Sequence, residues 1–118
     1  MNLYDYGDFL TVRPVHIATV SPDNKANLAI VSDIRIIDKN RVIISHNEMI
    51  NTPNNIQTNS NVCITSFNFD WIGVRLYGTA EYYSEGEYLD LAIKHFKNEN
   101  TNPVGAIIVT VNKLEELK

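Results

Sequence analysis

The sequence is short of cysteine, of clustered cations and of long apolar runs, and each shortage excludes a class of protein. Its one cysteine, Cys63, excludes an internal disulfide and is most simply a small buried thiol. Ten Lys and Arg residues lie scattered among 14 Asp and Glu residues, whereas phosphate-backbone binding needs clustered cations. No apolar run approaches the roughly 18 residues of a membrane span, and the segment MNLYDYGDFL is acidic where a secretory signal is basic. We therefore expect a cytoplasmic protein without a nucleic-acid or membrane partner.

β-Branched residues are abundant, and they recur with the period of two that is typical of strands. Turn residues separate the runs, since SPDN at residues 21–24 and DKN at residues 38–40 have the chemistry of hairpin turns. The final segment LEELK predicts one further turn or an extended arm. The predicted strands are at residues 15–20, 27–37, 41–45, 61–67, 71–83 and 103–112.

The second of these runs, NLAIVSDIRII, predicts one long strand with two distinct faces. Its partner across the turn at residues 38–40 is the run RVIIS, so the two strands should form a hairpin. One face carries Leu28, Ile30, Ser32, Ile34 and Ile36. The opposite face includes Val31, Asp33 and Arg35.

One internal segment has clear helical periodicity, because EGEYLDLAIKHFKN repeats apolar residues at helical spacing. These are Tyr88, Leu91, Ala92, His95 and Phe96. A chain of 118 residues is long enough to close one core. Six antiparallel strands with two or three short helices therefore predict a mostly β, single-domain fold over residues 1–118, closed into a small barrel because closure removes exposed edges.

The segment HNEMINTPNNI, at residues 46–56, is a polar interruption between strands. Thr52 followed by Pro53 predicts a helix start, with threonine as the N-cap and proline at the first helical position. The N–H groups of residues 54–56 would then lack intrahelical acceptors and could hold a phosphate. Asn47, Asn51 and the Thr52 hydroxyl would add neutral donors. The alternative is that Thr52 caps a surface helix and the asparagines fill turn positions.

Three segments in order resemble a known family. They are HIATVSPDNKANLAIVSDIRIIDKNRVIIS, NEMINTPNNIQTNSNVCIT and RLYGTAEYY. Together they resemble the FMN-binding split barrel of the pyridoxamine 5'-phosphate oxidase-like superfamily, and its small FMN-binding proteins and flavin reductases in particular. The resemblance covers His16 to the C-terminus. It implies a six-stranded Greek-key split β-barrel that works as a homodimer with flavin at the subunit interface.

The resemblance also implies which residues hold the FMN. The FMN phosphate would lie at Thr52, next to Asn51. The loop whose backbone lines the flavin would contain Asn47 and Met49, and Leu117 would reach over the partner's flavin. The strand segment beside the ring would be Ile30, Val31 and Ser32.

Asn51 departs from the family pattern, which has lysine at that position. A charge-assisted hydrogen bond contributes about 1.5–3 kcal/mol, so its absence could weaken FMN binding by tens-fold. Alternatively an arginine supplies the charge. The candidates are Arg13, Arg35 and Arg41, and Arg35 is the best placed because it continues the face of Val31 and Asp33.

The implied activity is an FMN-dependent oxidoreductase or flavin reductase of unknown substrate, acting with NAD(P)H or a small aromatic compound. An electron carrier without its own substrate and a split barrel without flavin are alternatives, as are a deazaflavin or haem in place of FMN. Pyridoxamine 5'-phosphate oxidation is not expected from so short a chain. No catalytic residue is assigned, and His16, His46 and His95 lack metal-ligand spacing. Only His46 borders the predicted site.

Overall fold

The computed structural model describes residues 1–11 and 14–117, and it is one seven-stranded antiparallel sheet with short helices around it. A 3₁₀ turn at Leu3–Tyr6 leads directly into α1 at Gly7–Leu10. The other helices are α2 (Asn51–Thr58) and α3 (Glu87–Phe96). The strands are β1 (Val15–Val20), β2 (Ala26–Val31), β3 (Ile34–Asp38), β4 (Arg41–His46), β5 (Asn61–Phe67), β6 (Gly73–Tyr83) and β7 (Gly105–Leu117).

The sheet curls round one core, although its ladder of strands does not close. The strands follow the order β2-β1-β5-β6-β7-β4-β3, so the two edges are β2 and β3, which are consecutive in the chain. We call the gap between these edges, with its two linking residues Ser32 and Asp33, the seam. Every strand contributes to the core, for example through Ile17, Val31, Ile34, Ile44, Ile64, Leu76 and Ile107. The architecture is therefore a barrel split along one seam.

The seam corrects two expectations from the sequence. One long strand was predicted over residues 27–37, and six strands in all, but the chain leaves the ladder at Ser32 and Asp33 and forms two strands. Aspartate suits strands poorly, and the Asp33 carbonyl accepts a hydrogen bond from the Ser45 N–H at 3.0 Å. The strand count is therefore seven.

The seam also reverses the alternation of faces. The sequence predicted that Ile30 and Ile34 share a face, but Ile30 is 68% exposed and Ile34 is buried. Val31 and Ile34 both enter the core because they lie three residues apart across the two-residue link. Leu28, also 68% exposed, is left on the outside of β2.

The N-terminal end of the chain differs from the prediction, and the C-terminal end follows the extended one of its two predicted alternatives. The segment Leu3–Leu10 was not predicted to be helical, yet Leu3 and Leu10 are fully buried in the core. Residues Leu114–Leu117 of the final LEELK segment continue β7 and pair with the start of β6, from Gly73↔Leu117 inward, and Lys118 lies outside the described residues. Trp71 lies in the turn before β6, with φ +61°, and is not part of the strand.

α3 confirms the predicted helix and explains the apolar run in β7. Ala92 and Phe96 of α3 pack on the outer face of the sheet, against Ile43 and Ile108. The inner faces of β4 and β7 line the main core. These strands are buried on both sides, which is why their sequences are continuously apolar rather than alternating.

Candidate functional site

α2 begins earlier than the sequence predicted. Its first residue is Asn51, and Ile50 occupies the N-cap position without a side-chain cap. Thr52, predicted as the N-cap, is instead a buried residue of the first turn, and its hydroxyl accepts a long hydrogen bond of 3.4 Å from Asn27 Nδ2. Pro53 remains in the first turn, where its missing N–H costs nothing. By position, the N–H groups without intrahelical acceptors are those of Ile50, Asn51 and Thr52, and not those of residues 54–56.

A cavity of about 230 Å³ opens at the seam, and we call it the seam cavity. Three stretches of chain form it: the end of β2 with the seam, the end of β4 with the loop that follows, and Thr101 before β7. Five of the eight residues predicted to contact flavin line it, namely Ile30, Val31, Ser32, Asn47 and Met49. The other lining residues are Asp33, Ser45, Glu48 and Thr101.

Hydrogen bonds hold the seam against the end of β4. The Ser45 hydroxyl donates to Asn47 Oδ1 at 2.9 Å, and Asn47 Nδ2 donates to Asp33 Oδ2 at 3.1 Å. The Asn47 amide is therefore used at both ends, which fixes its orientation. Asp33, for which the sequence offered no partner, is paired in this way.

His46, the last residue of β4, joins the residues that follow it to β6. Its Nε2 lies 2.7 Å from the Met49 carbonyl oxygen, and its Nδ1 lies 2.7 Å from the Tyr82 hydroxyl. A carbonyl only accepts, so Nε2 carries a proton, and in the neutral ring the Tyr82 hydroxyl then donates to Nδ1. Burial raises the pKa of Tyr82 above its ordinary value, which keeps this donor protonated. The sequence indicated that His46 borders the site but gave no sign of its link to Tyr82.

A second cavity of about 210 Å³ lies at the start of α2, and we call it the α2 cavity. Asn51 lines it, whereas Thr52 does not. Its cation is Lys25, from the β1–β2 turn, whose Nζ is 3.4 Å from Asp23 Oδ2. Sequence reasoning missed Lys25 because the contact between the β1–β2 turn and α2 is tertiary. Asp23 lines the cavity as well, and the remaining lining residues are Ser21, Ala26, Asn27 and Asn55.

The arginines considered in place of the family's lysine lie elsewhere. Arg35 lies over the Phe96 ring, 6.0 Å from its centroid, and borders a different cavity together with Tyr4. Arg41 donates to Asp38 at 2.7 Å and to the Tyr88 hydroxyl at 2.9 Å. Arg13 falls outside the described residues. Lys25 is thus the cation that borders the α2 cavity in the described part of the chain.

Comparisons with known proteins show the family to which this fold belongs. The family model described as pyridoxamine 5'-phosphate oxidase matches residues 8–117. The chain belongs to the pyridoxamine 5'-phosphate oxidase family. An uncharacterized protein of Methanocaldococcus jannaschii is 37% identical over 108 residues, which are 88% of this chain and 72% of that protein.

Two solved structures show how closely this family member follows the split-barrel fold. A variant of HupZ from Group A Streptococcus has a TM-score of 0.91 and 25% identity, with 99% of this chain and 100% of that chain covered. An FMN-binding protein from Syntrophomonas wolfei has a TM-score of 0.81 and 18% identity, with 99% of this chain and 83% of that chain covered. The second likeness concerns the fold alone.

Leu117 lies apart from the other predicted residues of this family member. It ends β7 opposite Gly73 and borders neither the seam cavity nor the α2 cavity. Because Leu117 was expected to contact the flavin of a second subunit, its position within one chain does not test that expectation. Its role stays a prediction.

The donor chemistry of the two cavities fits the two ends of FMN. Asp33 and Glu48 border the seam cavity without a cation among its described lining residues, so this cavity suits an uncharged ring with polar edges. The α2 cavity contains the Lys25–Asp23 ion pair beside the amide of Asn51, so Lys25 and Asn51 are the donors that it offers to a phosphate.

Neither a metal-binding cluster nor a membrane-spanning helix is found in residues 1–11 and 14–117. Within those ranges, no cluster of three or more His, Cys, Asp or Glu residues has the arrangement of a metal site. The same part of the chain contains no helix with the length and apolar character needed to cross a membrane.

Proposed function

We propose that this chain binds FMN, with the isoalloxazine ring in the seam cavity and the phosphate in the α2 cavity. The observation that carries the proposal is the meeting of Ile30, Ser32 and Asn47 with Val31 and Met49 in one cavity. These residues come from two separate parts of the sequence. They were predicted from the resemblance to the family and not from their positions in the structure.

The spacing of the two cavities supports this orientation. Both cavities border β2, the α2 cavity at Asn27 and the seam cavity at Ile30. Three residues along a strand span roughly 10 Å, a distance that the ribityl chain of FMN can bridge. The cofactor would therefore lie along the free edge of β2.

The proposal includes a homodimer, because one chain supplies only part of a flavin pocket. The seam cavity, at about 230 Å³, is smaller than the roughly 300–1,000 Å³ of ordinary ligand pockets. Leu28, Ile30 and Ile50 expose apolar surface beside the two cavities. A second copy would cover this surface, complete the pocket and bring its Leu117 over the ring.

FMN would supply the redox chemistry, while the chain's residues bind and orient it. The Asn47 amide and the backbone of residues 47–49 would contact the ring edge, and Lys25 with Asn51 would hold the phosphate. The proposed activity is that of a cytoplasmic oxidoreductase or flavin reductase, with NAD(P)H or a small aromatic compound as its reaction partner.

Titration with FMN tests the proposal directly. We expect quenched flavin fluorescence with saturation, and weaker binding of riboflavin, which lacks the phosphate. Ser32→Trp should abolish binding because the indole would fill the seam cavity, where Ser32 is exposed. Ser60→Trp is the matched control, since Ser60 is also exposed and borders neither cavity. Absence of FMN binding by the unaltered protein would refute the proposal.

Two further measurements separate the parts of the proposal. Size-exclusion chromatography with mass detection should give a dimer, and Leu28→Lys should shift it toward monomer because a charge would enter the apolar contact. Steady-state oxidation of NADH or NADPH with added FMN tests the reductase activity. Tight FMN binding without turnover would instead indicate an electron carrier.

A further inference from the structure

The imidazole of His46 ties together three parts of the fold around the seam cavity. His46 closes β4, its Nε2 reaches the Met49 carbonyl, and its Nδ1 reaches Tyr82 of β6. Residues 47–49 follow His46 in the chain and end at Met49, whose carbonyl the ring holds; we call them the cavity loop. All three of its residues line the seam cavity. The ring therefore fixes the far end of the loop relative to the sheet.

The donor and acceptor roles in this link allow one arrangement for the neutral ring. The Met49 carbonyl can only accept, so the proton is on Nε2, and Nδ1 then accepts from the Tyr82 hydroxyl. Each polar atom of the link is matched, which gives the loop end a defined position. The His46 and Tyr82 rings also meet edge to face, with centroids 5.4 Å apart.

Gly105 makes space for this link. It pairs with His46 in the β4–β7 ladder, and a Cβ at Gly105 would lie 2.2 Å from the Tyr82 hydroxyl oxygen. No side chain could occupy this position unless Tyr82 moved. β7 thus has its smallest residue where the Tyr82 hydroxyl passes to reach His46.

We propose that His46, held by Tyr82, is the positioning residue for the flavin-contacting loop and thereby sets the reduction potential of the bound flavin. The inference rests on the proposed FMN site. A reduced flavin carries more negative charge than an oxidised one, so it depends more strongly on dipoles held in place beforehand. Releasing the Met49 carbonyl loosens the cavity loop, and the reduced form loses more affinity than the oxidised form.

The test uses His46→Leu, Tyr82→Phe and His46→Gln in the full-length protein. His46→Leu removes both hydrogen bonds, and Tyr82→Phe removes only the hydroxyl. The Gln side chain can donate to the Met49 carbonyl and accept from Tyr82, so it should restore the link. His95→Leu is the control, because His95 lies on α3 and borders neither cavity.

We expect the affinity of His46→Leu for reduced FMN to fall about tenfold more than its affinity for oxidised FMN. That ratio corresponds to a two-electron midpoint potential lower by about 30 mV. Tyr82→Phe should shift the potential in the same direction by less, and His46→Gln should restore it. If His46→Leu fails to fold, the midpoint potentials of Tyr82→Phe and His46→Gln are compared instead.

A second measurement needs no flavin. Long-range proton–nitrogen correlation spectra of the free protein should show His46 protonated on Nε2, and Tyr82→Phe should alter the Nδ1 shift. A proton found on Nδ1 would overturn the inference.

The two levels of the proposal fail differently. If the unaltered protein does not bind FMN, the proposed function falls and this inference with it. If it binds FMN and both His46→Leu and Tyr82→Phe keep the wild-type potential, only the role of His46 is refuted. Weaker binding that merely follows a loss of folding stability, with an unchanged potential, refutes it equally.

Discussion

Replacing Asn51 with lysine should tighten FMN binding and slightly destabilise the free protein. Asn51 is the first residue of α2 and borders the α2 cavity, so a lysine there can reach an anion in that cavity. A charge-assisted hydrogen bond contributes about 1.5–3 kcal/mol, which corresponds to roughly ten- to one-hundred-fold in affinity. Without ligand, a cation at a helix N-terminus costs about 0.3–1 kcal/mol.

The expected gain in FMN affinity and the expected loss of stability have opposite signs, so each is measured separately. Fluorescence titration with FMN measures the affinity, and urea unfolding of the flavin-free protein measures the stability. The gain in affinity should shrink with added salt, because Asn51 is exposed and its charge would be screened. Asn54→Lys is the matched control, since it places the same charge on an exposed position of α2 that borders neither cavity. Equal tightening by both variants, or none by Asn51→Lys, would refute this location of the phosphate.

Three further predictions concern charge and packing. Lys25→Ala should weaken FMN binding about two- to fivefold in titrations, as suits an exposed charge, whereas Arg35→Ala should leave it unchanged. Burial pushes the pKa of Asp38 upward, but hydrogen bonds from the Arg41 side chain and the backbone lower it below its ordinary value. The Asp38 carboxylate therefore stabilises the fold above its unfolded pKa of about 4, and this contribution is lost as pH falls through its folded pKa. The free energy of unfolding of Asp38→Asn, measured in urea, should therefore decrease less steeply toward acid pH than that of the unaltered protein. Gly78→Ala should cost about 1–3 kcal/mol in urea unfolding with an unchanged slope, because its Cβ would lie 2.3 Å from a β7 carbonyl oxygen.

Local patterns were sufficient to predict most strands and the long helix. The runs at β1 and β5 were predicted with their observed bounds, since alternating β-branched residues end there at clear turn residues. α3 followed from one apolar stripe. The segment Leu3–Leu10 was missed because its two core residues, Leu3 and Leu10, are too far apart in a short polar sequence to give a periodic signal.

The seam could not be predicted from periodicity, because the alternation of Leu28, Ile30, Ile34 and Ile36 continues in register across Ser32 and Asp33. Tertiary contacts stabilise the break, from the Ser45 N–H to the Asp33 carbonyl and from the Asn47 amide to the Asp33 carboxylate. The same applies to the site. A motif could predict Asn47 and Met49 as candidates, but Lys25 and Asn51 border the same cavity only in the folded protein, so the sequence gives no local sign of Lys25.

The unclosed edge between β2 and β3 implies a trade-off between stability and binding. A closed ladder would pair more backbone groups and would strengthen the barrel, but it would leave no opening for a ring beside Ser32. Substitutions that favour an unbroken strand there, such as valine at the two linking positions, should therefore make the protein more robust and less able to hold a cofactor. Keeping the gap therefore leaves the barrel less stable than a closed one, and in return the seam stays open to a ligand.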